Sequence, residues 1–516
     1  MQLVLINVLS SDTSSSIDNL GIGSICSYLR SKNMPVTLAY LKPNMINDTY
    51  ISEKLKNFDA YGLTFYANNA KYVFQAAELI KKHNPCATVF LGGYLASDAP
   101  KEILYDCSYI DYIVLGAGEK IVYQMMQFLQ NGNKEKIHSM ASVVTRDDIS
   151  EKIKATINVC EMPFPARDNL TYSLKNGEQI ARIYTARGCC GNCSFCSVNQ
   201  MYKKWQGRPP KDILNEINQI HEKYKVNSFM FVDSSFEDPG RLGKERISEL
   251  CKLLKKNDMQ YSFRCFVRAE TFHSDDIELI NEMVSAGISQ IFIGIEAANE
   301  EDLKLYHKKA SVSDNQRAID LFTQAGADVT IGFIMRNPYS TRDTLYQNYV
   351  FLSHNKVYTI NHYITKLDVF YKSEAYEKFK ETGVLKENYS YLNQCEYIFN
   401  DPWLNEIDEF FNRIFTDSSD SDERFLAMAN IFMNLQVMYP EESIPYVRAF
   451  HAIKESMADC ISEYFKKIYV DQDLTGAESY YKSFIMQWKK IFIQARHLVF
   501  QLIKDERFHE YISVIY

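Results

Sequence analysis

No apolar run in this 516-residue chain approaches the roughly 20 residues that span a bilayer as a helix, which argues against a membrane protein. The start, Met1-Gln-Leu-Val-Leu-Ile-Asn-Val, has no basic lead and too short an apolar stretch for a secretory signal. It reads as a buried strand, and the expected location is cytoplasmic. Positive charge is not in excess. The net is −8, which argues against nucleic acid as the main partner, apart from a small basic cluster at Lys203, Lys204 and Arg208. Internal repeats and low-complexity tracts are absent, which excludes a solenoid. Thiols stay reduced in the cytoplasm, so the twelve cysteines are not a disulfide framework.

What is present is an ordinary globular balance, 46 % hydrophobic and 24 % charged, in a chain long enough for about three domains. Residues 1–135 alternate short β-branched runs with helical patterns. Strands are expected at 3–8, 36–41, 61–66, 88–91 and 112–115, and helices at 20–31, 70–83, 101–105 and 120–129. Such alternation predicts a doubly wound parallel sheet with its ligand site beyond the carboxyl ends of the strands. Those ends carry Gly92, Gly93, Gly116, Gly118 and Glu119. Residues 136–180 are polar, weakly periodic and read as a linker between domains. A second alternation over 181–375 places strands at 183–186, 228–232, 261–267, 290–295, 329–335 and 358–369, which predicts a partial (β/α)6 barrel. Residues 376–516 lose the strand pattern and read as a helical accessory domain, its aromatics at helical spacing facing a core.

Eight cysteines are dispersed and four cluster in Thr185-Ala-Arg-Gly-Cys189-Cys190-Gly-Asn-Cys193-Ser-Phe-Cys196. A zinc site wants four ligands, and no second pair stands nearby. A redox dithiol at Cys193 and Cys196 lacks the thioredoxin-like context. Buried thiols clustered by chance are the bland alternative. Three thiolates on a four-iron cluster leave one iron open to a chelating ligand, and the loop follows the first barrel strand, on the face where such barrels do chemistry.

The C-x3-C-x2-C loop at Cys189, Cys193 and Cys196, set in this barrel pattern, resembles the radical S-adenosylmethionine (SAM) superfamily. The resemblance implies a [4Fe–4S] cluster whose open iron binds SAM, and a 5′-deoxyadenosyl radical that abstracts hydrogen from substrate. It also implies a reductant such as flavodoxin or ferredoxin, and a small-molecule or peptide substrate. By matched position, Phe195 lies by the adenine, Asp233 or Ser234 receives the SAM amino group, Arg264 or Arg268 its carboxylate, and Glu296 the ribose. Residues 332–341 depart from the family's glycine-rich strand at Arg336-Asn337 and at Tyr339-Ser340-Thr341.

The sheet of residues 1–135 ahead of the barrel, with Trp205-x-x-Arg208-Pro209 after the cysteines, is similar to the cobalamin-binding subfamily. There is no Asp-x-His-x-x-Gly, and Leu95 stands where a histidine is often found. The domain is therefore expected to bind cobalamin without that ligand, or to be purely structural or substrate-recognising. Three functions compete: cobalamin-dependent C-methylation in natural-product or peptide maturation, radical epimerisation or rearrangement without cobalamin, and a non-enzymatic iron–sulfur or cobalamin sensor. Epimerisation needs a thiol to return hydrogen, for which Cys265, Cys395 and Cys190 are candidates.

Overall fold

The computed structural model describes residues 1–516 except Ile149, Gln179, Lys203, Asp258, Thr416, Asp417 and 510–516, and except the side chains of 418–421. Lys203 of the expected basic cluster thus lies outside the described residues. Arg208 of that cluster is buried, its guanidinium taken by Glu216 and the Tyr184 carbonyl, so it adds nothing to a basic surface.

The first alternation forms a six-stranded sheet in the order β2-β1-β3-β4-β5-β6. Its strands are β1 (Leu3–Val8), β2 (Val36–Leu41), β3 (Ala60–Thr64), β4 (Thr88–Gly92), β5 (Tyr112–Val114) and β6 (Val143–Thr145). The first five are parallel and β6 is antiparallel. β1 is buried at every position, as a central strand covered on both faces must be. β6 comes from the stretch expected as linker, which therefore extends the first sheet. Further along that stretch, buried Arg167 pairs with Asp18 of the first domain and Glu216 of the second, each at 2.8 Å. The polar composition that suggested a loose linker is spent on this internal strut.

The second alternation gives a five-stranded parallel sheet in the order β13-β12-β11-β10-β7. Its strands are β7 (Ala181–Ile183), β10 (Ser228–Phe231), β11 (Ser262–Arg268), β12 (Ile288–Glu296) and β13 (Asp328–Phe333). Between β7 and β10, β8 (Ala186–Arg187) and β9 (Gln206–Gly207) form a small antiparallel ribbon. The expected sixth strand does not form. Ile360–Ile364 is a helix, and only a bridge between Arg336 and Lys366 continues the sheet. The reason is tertiary: the distant Asp422 carboxylate accepts the Ile360 and Asn361 amides at 3.1 and 2.8 Å. Those amides open the helix, and capping them outweighs the β propensity of Tyr358, Thr359 and Ile360.

After the barrel come the helices Glu374–Glu381, Pro402–Ile414, Ser418–Met438, Ile444–Tyr469 and Leu474–Ile503. Trp403, Phe410, Phe411 and Trp488 are buried and belong to the same hydrophobic core as the barrel. No helix of the described residues is long and apolar enough to cross a membrane.

Candidate active site

A cavity of about 850 Å³ lies where the carboxyl ends of the first sheet face β7, β10 and the segment after the cysteine loop. One wall carries Asn7, Thr64, Tyr66, Asn69, Gly92 and Gly93, and the other Arg182, Tyr184, Met201, Tyr202 and Val232. All five glycine and glutamate positions expected to bind a cofactor line it, for different reasons. Gly92 faces open space, since a Cβ there would approach nothing closer than the Val114 carbonyl at 3.9 Å. Gly116 has φ +78°, and a Cβ would strike the Ala155 backbone at 2.4 Å, so this glycine serves the strand's contact with the following stretch. At Gly118 a Cβ would meet the tip of the Ile25 side chain at 2.7 Å. Glu119 lines the cavity while its Oε1 accepts from Arg187 at 3.0 Å and Ser24 at 2.8 Å, a buried bridge between the domains. Leu95 lines the wall, so no imidazole is offered at its position.

The cysteine loop springs from β8 and is tied down on several sides. Gly188 (φ +90°) lets it pass the Lys204 carbonyl, which a Cβ would meet at 2.7 Å. Asp233, expected to face the SAM amino group, is a correction. One oxygen accepts the Thr185 and Ala186 amides at 2.7 and 2.8 Å and the other the Thr185 hydroxyl, so Asp233 anchors the base of the loop. Ser234 points to solvent. The Cys190 amide donates to Asp238 at 2.7 Å, and the Ser194 amide to the Tyr306 carbonyl at 2.9 Å. Phe195 packs edge-on against Tyr306, ring centroids 5.5 Å apart.

Cys189, Cys193 and Cys196 are each half-buried and free. The Gly191 amide donates to Cys189 Sγ at 3.3 Å and the Val198 amide to Cys196 Sγ at 3.5 Å. Burial pushes the Cys189 thiol up to about 12 and Cys193 to about 11, so metal must displace their protons. Among the described residues, no three His, Cys, Asp or Glu side chains converge on a point that would hold a single ion. A cluster does not need that, because its three thiolates ligate different irons. Soft thiolates with amide donors to sulfur suit iron–sulfur chemistry.

Beside the loop, Arg268 meets Asp238 at 2.5 Å, Glu270 at 3.0 Å and Glu237 at 3.4 Å, while Lys308 meets Glu296 at 3.8 Å. Two cations thus face four carboxylates. Glu237 Oε2 and Glu270 Oε2 are buried without any hydrogen-bond partner. Burial pushes the Glu296 carboxyl up, an effect the Lys308 ammonium partly offsets. This surplus of carboxylate, with two orphaned oxygens, fits a ligand carrying positive charge, as the ammonium and sulfonium of SAM do. Glu237 and Asp238 were missed from sequence although they sit in the run that begins at Asp233. The chain turns at Phe236-Glu237 ahead of Asp238-Pro239-Gly240, which marks a turn in sequence but not which carboxylates it aims at the loop.

Other expected positions separate from the site. Arg264 lies mid-strand, below Arg268. Cys265 points the opposite way from both and is fully buried, which removes it as a hydrogen donor. Cys395 donates to Asp368 at 2.5 Å and adjoins Gln394 on the cavity wall. Cys190 is exposed within the loop.

Comparison with known proteins agrees with this layout. The model of the radical SAM superfamily matches residues 183–349, and that of the B12 binding domain residues 6–125. An uncharacterised methyltransferase of Pyrococcus horikoshii is 25 % identical over 300 residues, covering 57 % of this chain and 64 % of that protein. The anaerobic magnesium-protoporphyrin IX monomethyl ester cyclase of Rubrivivax gelatinosus is 24 % identical over 319 residues, 59 % of this chain and 56 % of that protein. The chain thus spans less than two thirds of the length of these relatives. Among solved structures, the cobalamin-dependent SAM radical enzyme OxsB, with aqua-cobalamin and SAM bound, matches all of this chain and 83 % of its own at TM-score 0.75 and 17 % identity. The methyltransferase TsrM of Kitasatospora setae, with tryptophan and a SAM analogue bound, matches 75 % of this chain and 77 % of its own at TM-score 0.59 and 14 % identity. At these identities the likeness shows the fold. The chain carries a radical SAM domain, preceded by a B12 binding domain.

Proposed function

We propose that the protein is a cobalamin-dependent radical SAM enzyme that transfers a methyl group to carbon on a small-molecule or peptide substrate. The carrying observation is the shared cavity: one wall is the carboxyl end of the B12-type sheet, and the other includes Arg187, Ser197, Met201 and Tyr202, which flank the three-thiol loop in sequence. When bound, the cluster with SAM supplies radical initiation, and cobalamin supplies a methyl carrier. Cys189, Cys193 and Cys196 would hold the cluster. Arg268 with Glu237, Asp238 and Glu270 would bind and orient SAM, and Glu296 with Lys308 would close the far side. Gly92 and Gly93 leave room for the corrin. The protein therefore needs an electron donor such as flavodoxin or ferredoxin.

A second reading, radical ring formation or rearrangement without net methylation, is favoured by the cyclase among the relatives. Anaerobic reconstitution with iron and sulfide, followed by reduction with SAM, should yield 5′-deoxyadenosine. Protein expressed with the vitamin should carry a cobalamin absorbance spectrum. A cluster-loaded protein that never cleaves SAM overturns the radical reading. Product mass raised by one methylene separates methylation from rearrangement.

A further inference from the structure

One layer of the barrel interior is charged where such barrels ordinarily fill with branched apolar side chains. The strand register sets Arg182 beside Met230, Met230 beside Arg264, Arg264 beside Gln290 and Gln290 beside Asp328. Two charges in this layer are matched, Arg182 by Glu178 at 2.9 Å and Asp328 by Lys454 at 2.8 Å. Arg264 is not. Among the described residues it pairs with no carboxylate, and its side chain donates only from Nη2, to Gln290 Oε1 at 3.0 Å and to Asn430 Oδ1. Burial works against its charge, and Asp328 offsets this only in part. A desolvated cation without a counter-charge is costly to keep.

The surroundings fix how that guanidinium is presented. Gln290 Nε2 donates to Ser262 Oγ at 3.0 Å and Asn434 Oδ1 at 2.9 Å, and Ser262 Oγ donates to Asn434 Oδ1 at 2.8 Å. This network turns the Gln290 carbonyl toward Arg264 and holds one corner of the guanidinium. Nε and Nη1 are left without protein acceptors, and neither is among the sealed, unpartnered atoms, so both keep contact with solvent. Asn430 and Asn434, on the helix Ser418–Met438, form the floor below. The next inward side chains above are Phe266 and Phe292, rings 5.2 Å apart and both partly accessible. Arg268 stands four residues further along β11, about 13 Å away at strand rise. The large cavity already reaches into the barrel at Arg182 and Val232.

We propose that Arg264 anchors an anionic group of the substrate, a carboxylate or phosphate monoester, at the floor of the barrel. The rest of the substrate then lies past Phe266 and Phe292, toward the cysteine loop. The inference rests on the reading of this barrel as a radical SAM site. With Nη2 held by Gln290 and Asn430, Nε and Nη1 point to different sides of the guanidinium, and each can donate singly to an oxygen of either anion beside the buried charge.

The test uses the full-length, cluster-loaded protein with inorganic phosphate as probe and acetate as a second arm, against chloride at equal ionic strength. Phosphate, acetate or both should raise the unfolding temperature saturably, and the stronger of the two identifies the anion class. R264Q should lose the shift, and R264K, which keeps the positive charge, should retain it with weaker affinity. Crystals of the unaltered protein soaked in tungstate should show an anomalous peak beside Arg264, which gives a reading even if R264Q fails to fold. A shift that survives in R264Q, or tungstate bound only elsewhere, overturns the proposal and leaves Arg264 as a tie between barrel and helix. A protein that cleaves SAM but places no anion at Arg264 overturns this inference alone. An anion at Arg264 in a protein that never cleaves SAM overturns the functional reading alone.

Discussion

At the carboxyl ends of the six-stranded sheet the cavity wall carries the neutral side chains Asn7, Thr64 and Asn69 with Gly92 and Gly93, and its acids Asp18, Asp98 and Glu119 are each paired with a cation. At the corresponding ends of the five-stranded sheet stand Arg268, Glu237, Asp238, Glu270, Glu296 and Lys308, nearly all committed to one another. Both sites stand at the ends of parallel strands, yet one supplies volume and the other charge. A large ligand bound mainly through its shape needs the first kind of wall. A small polar ligand held beside a cluster needs the second, because fixed charges in a partly desolvated site act without reorganising. The two walls are joined by the buried Arg187–Glu119 pair and by Arg167, which pairs with Asp18 and Glu216.

The comparison yields graded expectations. Replacing Cys193 by Ala should abolish cluster absorbance and all 5′-deoxyadenosine formation while leaving bound cobalamin in place. Loss of both ligands together would show that the walls are not independent. Gly92→Leu places a side chain in open space, so cobalamin retention measured by absorbance should fall more than tenfold with the unfolding temperature almost unchanged. Arg187→Met strands the buried Glu119 charge and should cost about 4 kcal/mol in urea unfolding. It should also weaken cobalamin and SAM binding together.

The smallest effect concerns the asymmetry in strand number. Burial raises the Asp422 carboxyl from its ordinary 3.8 to about 6 in the folded chain. The folded state therefore takes up this proton first. The contribution to stability should fall as pH rises from about 4 to about 6, by about 3 kcal/mol. Asp422→Asn should flatten that part of the pH profile of urea unfolding, and a profile identical to the parent's would remove Asp422 as its source.

The cysteine spacing and the two β/α alternations were legible because each is local: a metal loop is read from spacing, and a buried parallel strand from its apolar run. The first five barrel strands fall close to their expected positions. The sixth was read from β-branched residues whose preference is overturned by a carboxylate from sixty residues downstream. The roles of site residues depend on the same kind of relation. Asp233 and Glu119 each follow a strand, but the direction of a carboxylate depends on which amide or guanidinium it finds. Those partners, Thr185, Ala186 and Arg187, come from other segments.

The sequence by itself determined that three thiols share one loop, that a doubly wound domain precedes a barrel, and that helices follow. Those are properties of spacing and periodicity along the chain. Only the tertiary structure decided which carboxylates are spent on holding the loop and which are left facing a ligand, that the expected linker is a strand and a strut, and that Arg264 is alone among its neighbours. Burial and pairing are relations between distant segments, and a buried charge takes its role from whatever the fold brings beside it.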